Sequence, residues 1–248
     1  MHQFFVEKEQ MNDKVIIITG TDVNHIKNVL RLKIGEEIAI RDGVDDLEYR
    51  CSIEKIEEDE VICRLLFMKE CGIELPSKVF LFQGLPKNDK MELIIQKAVE
   101  LGVYQIIPLA TKRSVVKLDA KKESNKLARW NAIAESAAKQ SKRMIIPEVT
   151  GVKTVKEALE YCKEFTIKII PYELADSGGM SITKSIIEKL QPNQTIAIWI
   201  GPEGGFEEGE VTLATAHGFC PITLGHRILR TETAGFTVLS WIMYQLEM

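Results

Sequence analysis

The sequence predicts an α/β protein in two parts: a small N-terminal β-barrel, then a larger layer of alternating strands and helices. Three observations carry this expectation. Residues 14–69 hold four β-branched or alternating runs separated by turns. From Val79 onward, apolar strand-type runs alternate with amphipathic helical stretches. Near its end the chain twice goes strand, glycine loop, helix, in "TIAIWIGPEGGF" at 195–206 and "PITLGHRILRTETAGF" at 221–236.

The N-terminal strands are read at 14–19, 37–42, 49–56 and 61–68, with one helix over Asp22–Leu32 that starts on Asp22 as N-cap and stops before Gly35. Many short strands and one helix predict a small barrel. "KECGIELPSK" at 69–78, with Gly72 and Pro76, marks the domain boundary, so the expected domains are 1–72 and 73–248. Beyond it come a buried-type strand at 78–85, a helix from Lys90 to Leu101 ended by Gly102, and a strand at 104–110. A helix at 126–142, a helix at 155–163, a strand at 166–173 and a helix at 182–190 come next. The final helix, about 232–246, is apolar on most sides, so it is buried in a core and, in part, in a subunit interface.

Composition excludes several classes. No apolar run approaches the roughly 18 residues of a membrane span, and "MHQFFVEKEQ" lacks the basic and apolar regions of a secretory signal. The five cysteines are scattered without CxxC spacing, which points to a reducing compartment such as the cytoplasm and away from structural zinc. The four histidines form no ligand pattern, so no metal is expected.

The net charge of −4 hides a segregation. Residues 1–73 carry 10 basic and 16 acidic side chains, and 144–248 carry 8 and 13, whereas 112–143 carry 10 and 3. Such a run is either a solvated helix face or a phosphate-binding patch. Separation of the signs favours the patch, because a merely solvated face mixes them.

The two glycine loops lie where open α/β sheets hold small ligands, at the carboxyl ends of strands. Neither carries the lysine of a phosphate-cradling GxxxxGK[ST] loop, and Glu203 would repel phosphate. A cationic, phosphate-free cofactor fits better, and S-adenosylmethionine meets that description. The alternative is that Gly-Pro-Glu-Gly-Gly is only a tight turn. Arg230, between the second loop and the last helix, is the first choice for a fixed cation that stabilises charge on a reacting base; its alternative is an internal ion pair with Glu203 or Glu232. Glu232 itself reads as a helix cap.

Taken together, "IGPEGGF" and "LGHRILRTETA" resemble the RsmE family, which methylates N3 of a uridine in 16S ribosomal RNA and belongs to the SPOUT methyltransferases. The resemblance extends through "HIKNVLRL" at 25–32, "GLPKNDKMELIIQKAVELGV" at 84–103, "RSVVKL" at 113–118 and "RWNAIAESAAKQSKR" at 129–143. Asn88 stands where the family pattern leads us to expect Gly, and Asn tolerates the left-handed backbone such a turn needs. The resemblance implies a PUA-like RNA-binding barrel, a SPOUT domain with a deep trefoil knot, and a homodimer. It also implies cofactor contacts from Gly201, Glu203, Gly204, Leu224, Gly225, Ile228 and Leu229. For RNA phosphate the candidates are Arg31, Lys87, Lys90, Arg113, Lys117, Arg129, Lys139 and Arg143. Trp130 could stack a base, but its spacing with Ile133 and Ala137 reads as core.

Overall fold

The computed structural model describes residues 1–116, 118–172 and 179–247; Lys117, an RNA candidate, and the last residue of the expected strand at 166–173 lie outside them. The chain forms two compact units, Met1–Glu74 with Ala138–Ile146, and Leu75–Ala137 with Pro147–Met248.

The first unit is built on a six-stranded sheet in the order β1-β4-β5-β6-β3-β2. Its strands are β1 (Gln3–Phe5), β2 (Met11–Asn12), β3 (Val15–Thr19), β4 (Glu37–Arg41), β5 (Leu47–Ile56) and β6 (Glu60–Glu70). Strand periodicity puts alternate residues on one face, and Ile16, Ile18, Ile38, Ile40, Cys51, Ile53, Val61 and Cys63 close a core there with Phe4 and Val6. The sheet curls around that core but stays open between β1 and β2, so it is part of a barrel rather than a closed one. The N-terminal strand β1, parallel to β4, is not legible in the sequence because three residues carry no usable period.

The expected helix at 22–32 is also different in detail. A short α1 (Thr21–Asn24) runs into a wider π-type turn, His25–Leu30. Asp22 makes no cap; Gly20, at φ 73°, occupies that place. Arg31 ends the turn in the left-handed region, at φ 53°.

Residues 138–146 return to this unit through two buried arginines. Arg41 donates from Nη1 to the carbonyls of Lys142 (2.7 Å) and Arg143 (2.6 Å). Arg143 is ion-paired with Glu74, whose Oε1 also accepts from the Met144 N–H at 2.8 Å. A hydrogen-bonding pattern between residues a hundred positions apart leaves no trace in local sequence.

The second unit is a parallel sheet in the order β10-β8-β7-β12-β11-β13, with β9 also on β8. Its strands are β7 (Lys78–Gly84), β8 (Gln105–Ala110), β9 (Glu148–Val149), β10 (Lys153–Thr154), β11 (Ile167–Pro171), β12 (Thr195–Ile200) and β13 (Cys220–Ile222). Its helices are α2 (Lys90–Glu100), α4 (Val155–Tyr161), α5 (Gly179–Glu188), α6 (Glu208–Ala216) and α7 (Thr231–Glu247). Helix α3 (Ala120–Ser141) begins in this unit. Central strands of a parallel sheet are covered on both faces and read as continuous apolar runs, as "VFLF" in β7 and "IAIWI" in β12 do. Trp199, Phe82, Phe206 and Phe219 fill the layer between sheet and helices. Trp130 is 2% exposed, which makes it core.

Candidate active site

The carboxyl ends of β11, β12 and β13 open into one cavity of about 600 Å³. Its wall is Pro171 and Tyr172 after β11, Ile200–Phe206 after β12, Thr223–Thr231 after β13, and Ala234 of α7, with Lys90 and Arg113 reaching in from the side. Both glycine loops of the sequence are therefore in one site, although about twenty residues separate them. The cavity lies within the usual range for small-ligand pockets, roughly 300–1,000 Å³. All seven cofactor candidates and Arg230 line it.

The glycines serve two different purposes. A Cβ on Gly84 would lie 2.6 Å from the Pro202 ring and main-chain nitrogen, and one on Gly201 would lie 2.9 Å from the Gly205 carbonyl carbon. These two allow the chain to cross itself closely. At Gly225 the backbone has φ 104° and a Cβ would meet nothing within 4 Å, so this glycine answers to conformation and leaves its surroundings open toward the cavity. Ile228 is 86% exposed, which rules out the core alternative for that residue.

Glu203 is held by neighbours. Its carboxylate accepts from the Lys87 N–H at 3.1 Å and stands 3.0 Å from the Lys90 ammonium. Burial alone would raise the Glu203 carboxyl, yet main-chain donors and Lys90 hold it below the usual range. The hydrogen bond from Lys90 to Glu203 in turn raises the lysine. Lys90 also lies 3.6 Å from Glu232 in the first turn of α7. The two carboxylates named as alternative partners of Arg230 both face Lys90, and Arg230 lines the cavity.

The charge of the cavity differs from the expectation set by the two loops alone. Among the described residues lining it, Lys90, Arg113, Arg227 and Arg230 are cationic and Glu203 alone is anionic. The pocket charge does not select a cationic cofactor.

The RNA candidates separate into groups. Arg31 and Lys87 are exposed. Arg113 donates to the Gly204 carbonyl at 2.8 Å and lies on the pocket rim. Arg129 is exposed and paired with Glu92 at 2.8 Å. Lys90 is engaged as above, and Lys139 lies 3.6 Å from Asp22. Arg143 is 4% exposed and ion-paired with Glu74, so it is withdrawn as a phosphate contact; its charge is spent on holding a buried turn. The last residues of the basic run 112–143, from Ala138 on, belong to the first compact unit.

Sequence reasoning missed Gln83 and Thr231. Gln83 is fully buried in β7 and donates from Nε2 to Thr231 Oγ1 at 2.8 Å. Thr231 Oγ1 donates to the Gly201 carbonyl at 2.6 Å. The available signal was a lone amide in the apolar run "KVFLFQGL". Among the described residues no group of three or more His, Cys, Asp or Glu could hold a metal ion, and no helix is long and apolar enough to cross a membrane.

Residues 73–243 match the RNA methyltransferase domain family and residues 18–66 match the RNA methyltransferase PUA domain family. A PUA-type unit followed by an α/β unit with a strand-end pocket defines the class: a two-domain RNA methyltransferase. Over 252 aligned residues the chain is 40% identical to ribosomal RNA small subunit methyltransferase E of Bacillus subtilis, covering 100% of this chain and 98% of that protein. It is 36% identical to the enzyme of the same name from Mesomycoplasma hyopneumoniae, covering 97% and 98%. The chain belongs to the ribosomal RNA small subunit methyltransferase E family. The solved structure of the Neisseria gonorrhoeae member bound to S-adenosyl methionine superimposes with a TM-score of 0.82 at 29% identity, covering 98% of this chain and 97% of that one.

Proposed function

We propose that this chain transfers a methyl group from S-adenosylmethionine to N3 of a specific uridine in 16S ribosomal RNA. The observation that carries the reading is the convergence of the two glycine loops in one strand-end cavity, in a chain related over its full length to small-subunit methyltransferases. When bound, S-adenosylmethionine supplies an electrophilic methyl on a sulfonium. The volume, the main-chain groups of both loops and the aliphatic Leu224, Ile228 and Leu229 fit its adenosyl part.

The uridine N3 carries a proton and attacks poorly until that proton leaves. Arg230, a fixed cation at the pocket, stabilises the negative charge that then spreads onto the uracil carbonyls. The N3–C bond forms as the methyl–sulfur bond breaks, and in-line positioning supplies much of the acceleration. Gly201, Gly204, Gly225, Leu224, Ile228 and Leu229 hold the cofactor, with Glu203 kept in place by Lys90. Arg31, Lys87, Arg113 and Arg129 meet RNA phosphate from exposed positions.

Two structural readings accompany this one. Thr223–Arg230 leads from β13, at the sheet edge beside β11, to Thr231 beside Gly201 and Gln83 in the sheet centre. That path supports a SPOUT-type trefoil knot. Helix α7 leaves Phe236 and Met243 partly exposed and Tyr244 65% exposed, while Leu239 is core; this apolar face supports a homodimer built on α7. A ribosomal RNA substrate supports a cytoplasmic location.

The test is methylation of small ribosomal subunits, or of free 16S RNA, with nucleoside mass analysis of the product. N3-methyluridine is the expected outcome. A ribose-methylated nucleoside, or none, would replace this reading by a different RNA methyltransferase or by an RNA-binding factor.

A further inference from the structure

We propose that Gln83 and Thr231 are positioning residues that latch Arg230 in place at the pocket. The inference rests on the role proposed for Arg230 in methyl transfer. The Thr231 hydroxyl gives its one proton to the Gly201 carbonyl, so toward Gln83 it can only accept. The second acceptor at the Gln83 nitrogen is the Gly84 carbonyl, at 3.0 Å. The amide orientation is thereby determined, with both N–H groups used. Its oxygen then faces no hydrogen-bond partner inside the fold, beside Gly235 of α7, where an added Cβ would be 3.9 Å from it. An apolar side chain would avoid that orphaned oxygen. The amide is instead held where it ties three segments together: the end of β7, the loop after β12 and the first turn of α7.

Arg230 is the residue this tie controls. Thr223–Arg230 has no regular secondary structure, so the pocket end of that segment is set by the start of α7. Thr231 is anchored on Gly201 and Gln83, and the Arg230 carbonyl accepts the first helical hydrogen bond, from the Ala234 N–H at 2.8 Å. The Arg230 main chain is pinned at its carbonyl end, while its side chain stays open to the cavity. Loss of the Thr231 hydroxyl frees the start of α7 from Gly201 and lets the guanidinium drift from the base.

The experiment is a double-mutant cycle on methyl transfer to small ribosomal subunits, with S-adenosylmethionine affinity measured for every variant. Thr231→Val should lower kcat by about a hundredfold, the size expected for a small misplacement of a catalytic group. Thr231→Ser, which keeps the hydroxyl, should restore most of it. In an Arg230→Ala background Thr231→Val should cost nothing further. The latch is overturned if Thr231→Val matches the wild type, if Arg230→Ala leaves kcat unchanged, or if the two losses multiply in full. Should Thr231→Val fail to fold, Thr231→Ala carries the same cycle, because it also removes the hydroxyl that bonds Gly201 and adds no second methyl at that buried position. A wild-type chain that binds S-adenosylmethionine yet transfers no methyl group overturns the functional reading itself, and the latch with it.

Discussion

The Lys90 ammonium stands 3.0 Å from a carboxylate oxygen of Glu203, and this pair turns an expected phosphate contact into part of the pocket wall. Lys90 begins α2 and Glu203 sits in the loop after β12. With Glu232 on the far side of Lys90, three segments share one cation.

The pair sets a pH window. Glu203 is lowered, so its stabilising contribution is present above the ordinary glutamate value of about 4.3 and is lost as pH falls through its folded value. Lys90 is raised, so its contribution is complete below the ordinary lysine value of about 10.4 and is lost as pH rises through its folded value. Thermal melts of wild type and Glu203→Gln should differ most between these limits and converge only once the pH has fallen through the lowered folded value of Glu203. Parallel curves down to low pH would show that the pair contributes nothing.

Arg143→Ala should destabilise the protein by about 3 kcal/mol or more, because it strands a carboxylate in a buried setting. The Glu74 side chain is 14% exposed and the Arg143 side chain 5%. Urea unfolding measures this. A variant of unchanged midpoint that binds RNA less tightly would restore Arg143 as a phosphate contact.

Arg113→Ala should behave in the opposite way, with stability nearly unchanged and RNA affinity less dependent on salt. Each lost phosphate contact lowers the slope of log affinity against log salt by about 0.7 to 0.9. Filter binding across a salt series reads it, and an unaltered slope would place Arg113 outside the RNA path.

Cysteine reactivity offers a test that involves no RNA. Burial pushes Cys51 and Cys63 up to about 12 and Cys162 up to about 11. These three thiols should resist alkylation at neutral pH, while the half-buried Cys71 and Cys220 react first, as seen by peptide mass analysis. Rapid labelling of Cys63 would mean that the first unit opens readily.

Met243→Glu tests the α7 interface. Met243 is half-buried, so the variant should fold and sediment as a single 28.1 kDa chain if α7 joins two copies. Light scattering that shows a single-chain mass for the wild type would remove the dimer reading, and an unchanged dimer mass for the variant would remove α7 as its interface.

Several features were determined by the sequence alone. The main strands of both units and the helices α2, α6 and α7 come from period and punctuation, since apolar spacing and glycine stops act over a few residues. Asn88 is a residue type that tolerates a left-handed turn, and it adopts φ 57°. The two glycine loops were legible as loops at strand ends for the same reason, and folding brings both to one cavity. Only the tertiary structure decided which charges are engaged: Lys90 beside Glu203, Arg143 beside Glu74 and Arg113 on Gly204 all depend on residues 69 to 113 positions away. Return of 138–146 to the first unit and the Gln83–Thr231–Gly201 relay are of the same kind. Local sequence encodes which residues are apolar and where the chain can turn, whereas the fate of a buried polar group is set by the partner that folding brings to it.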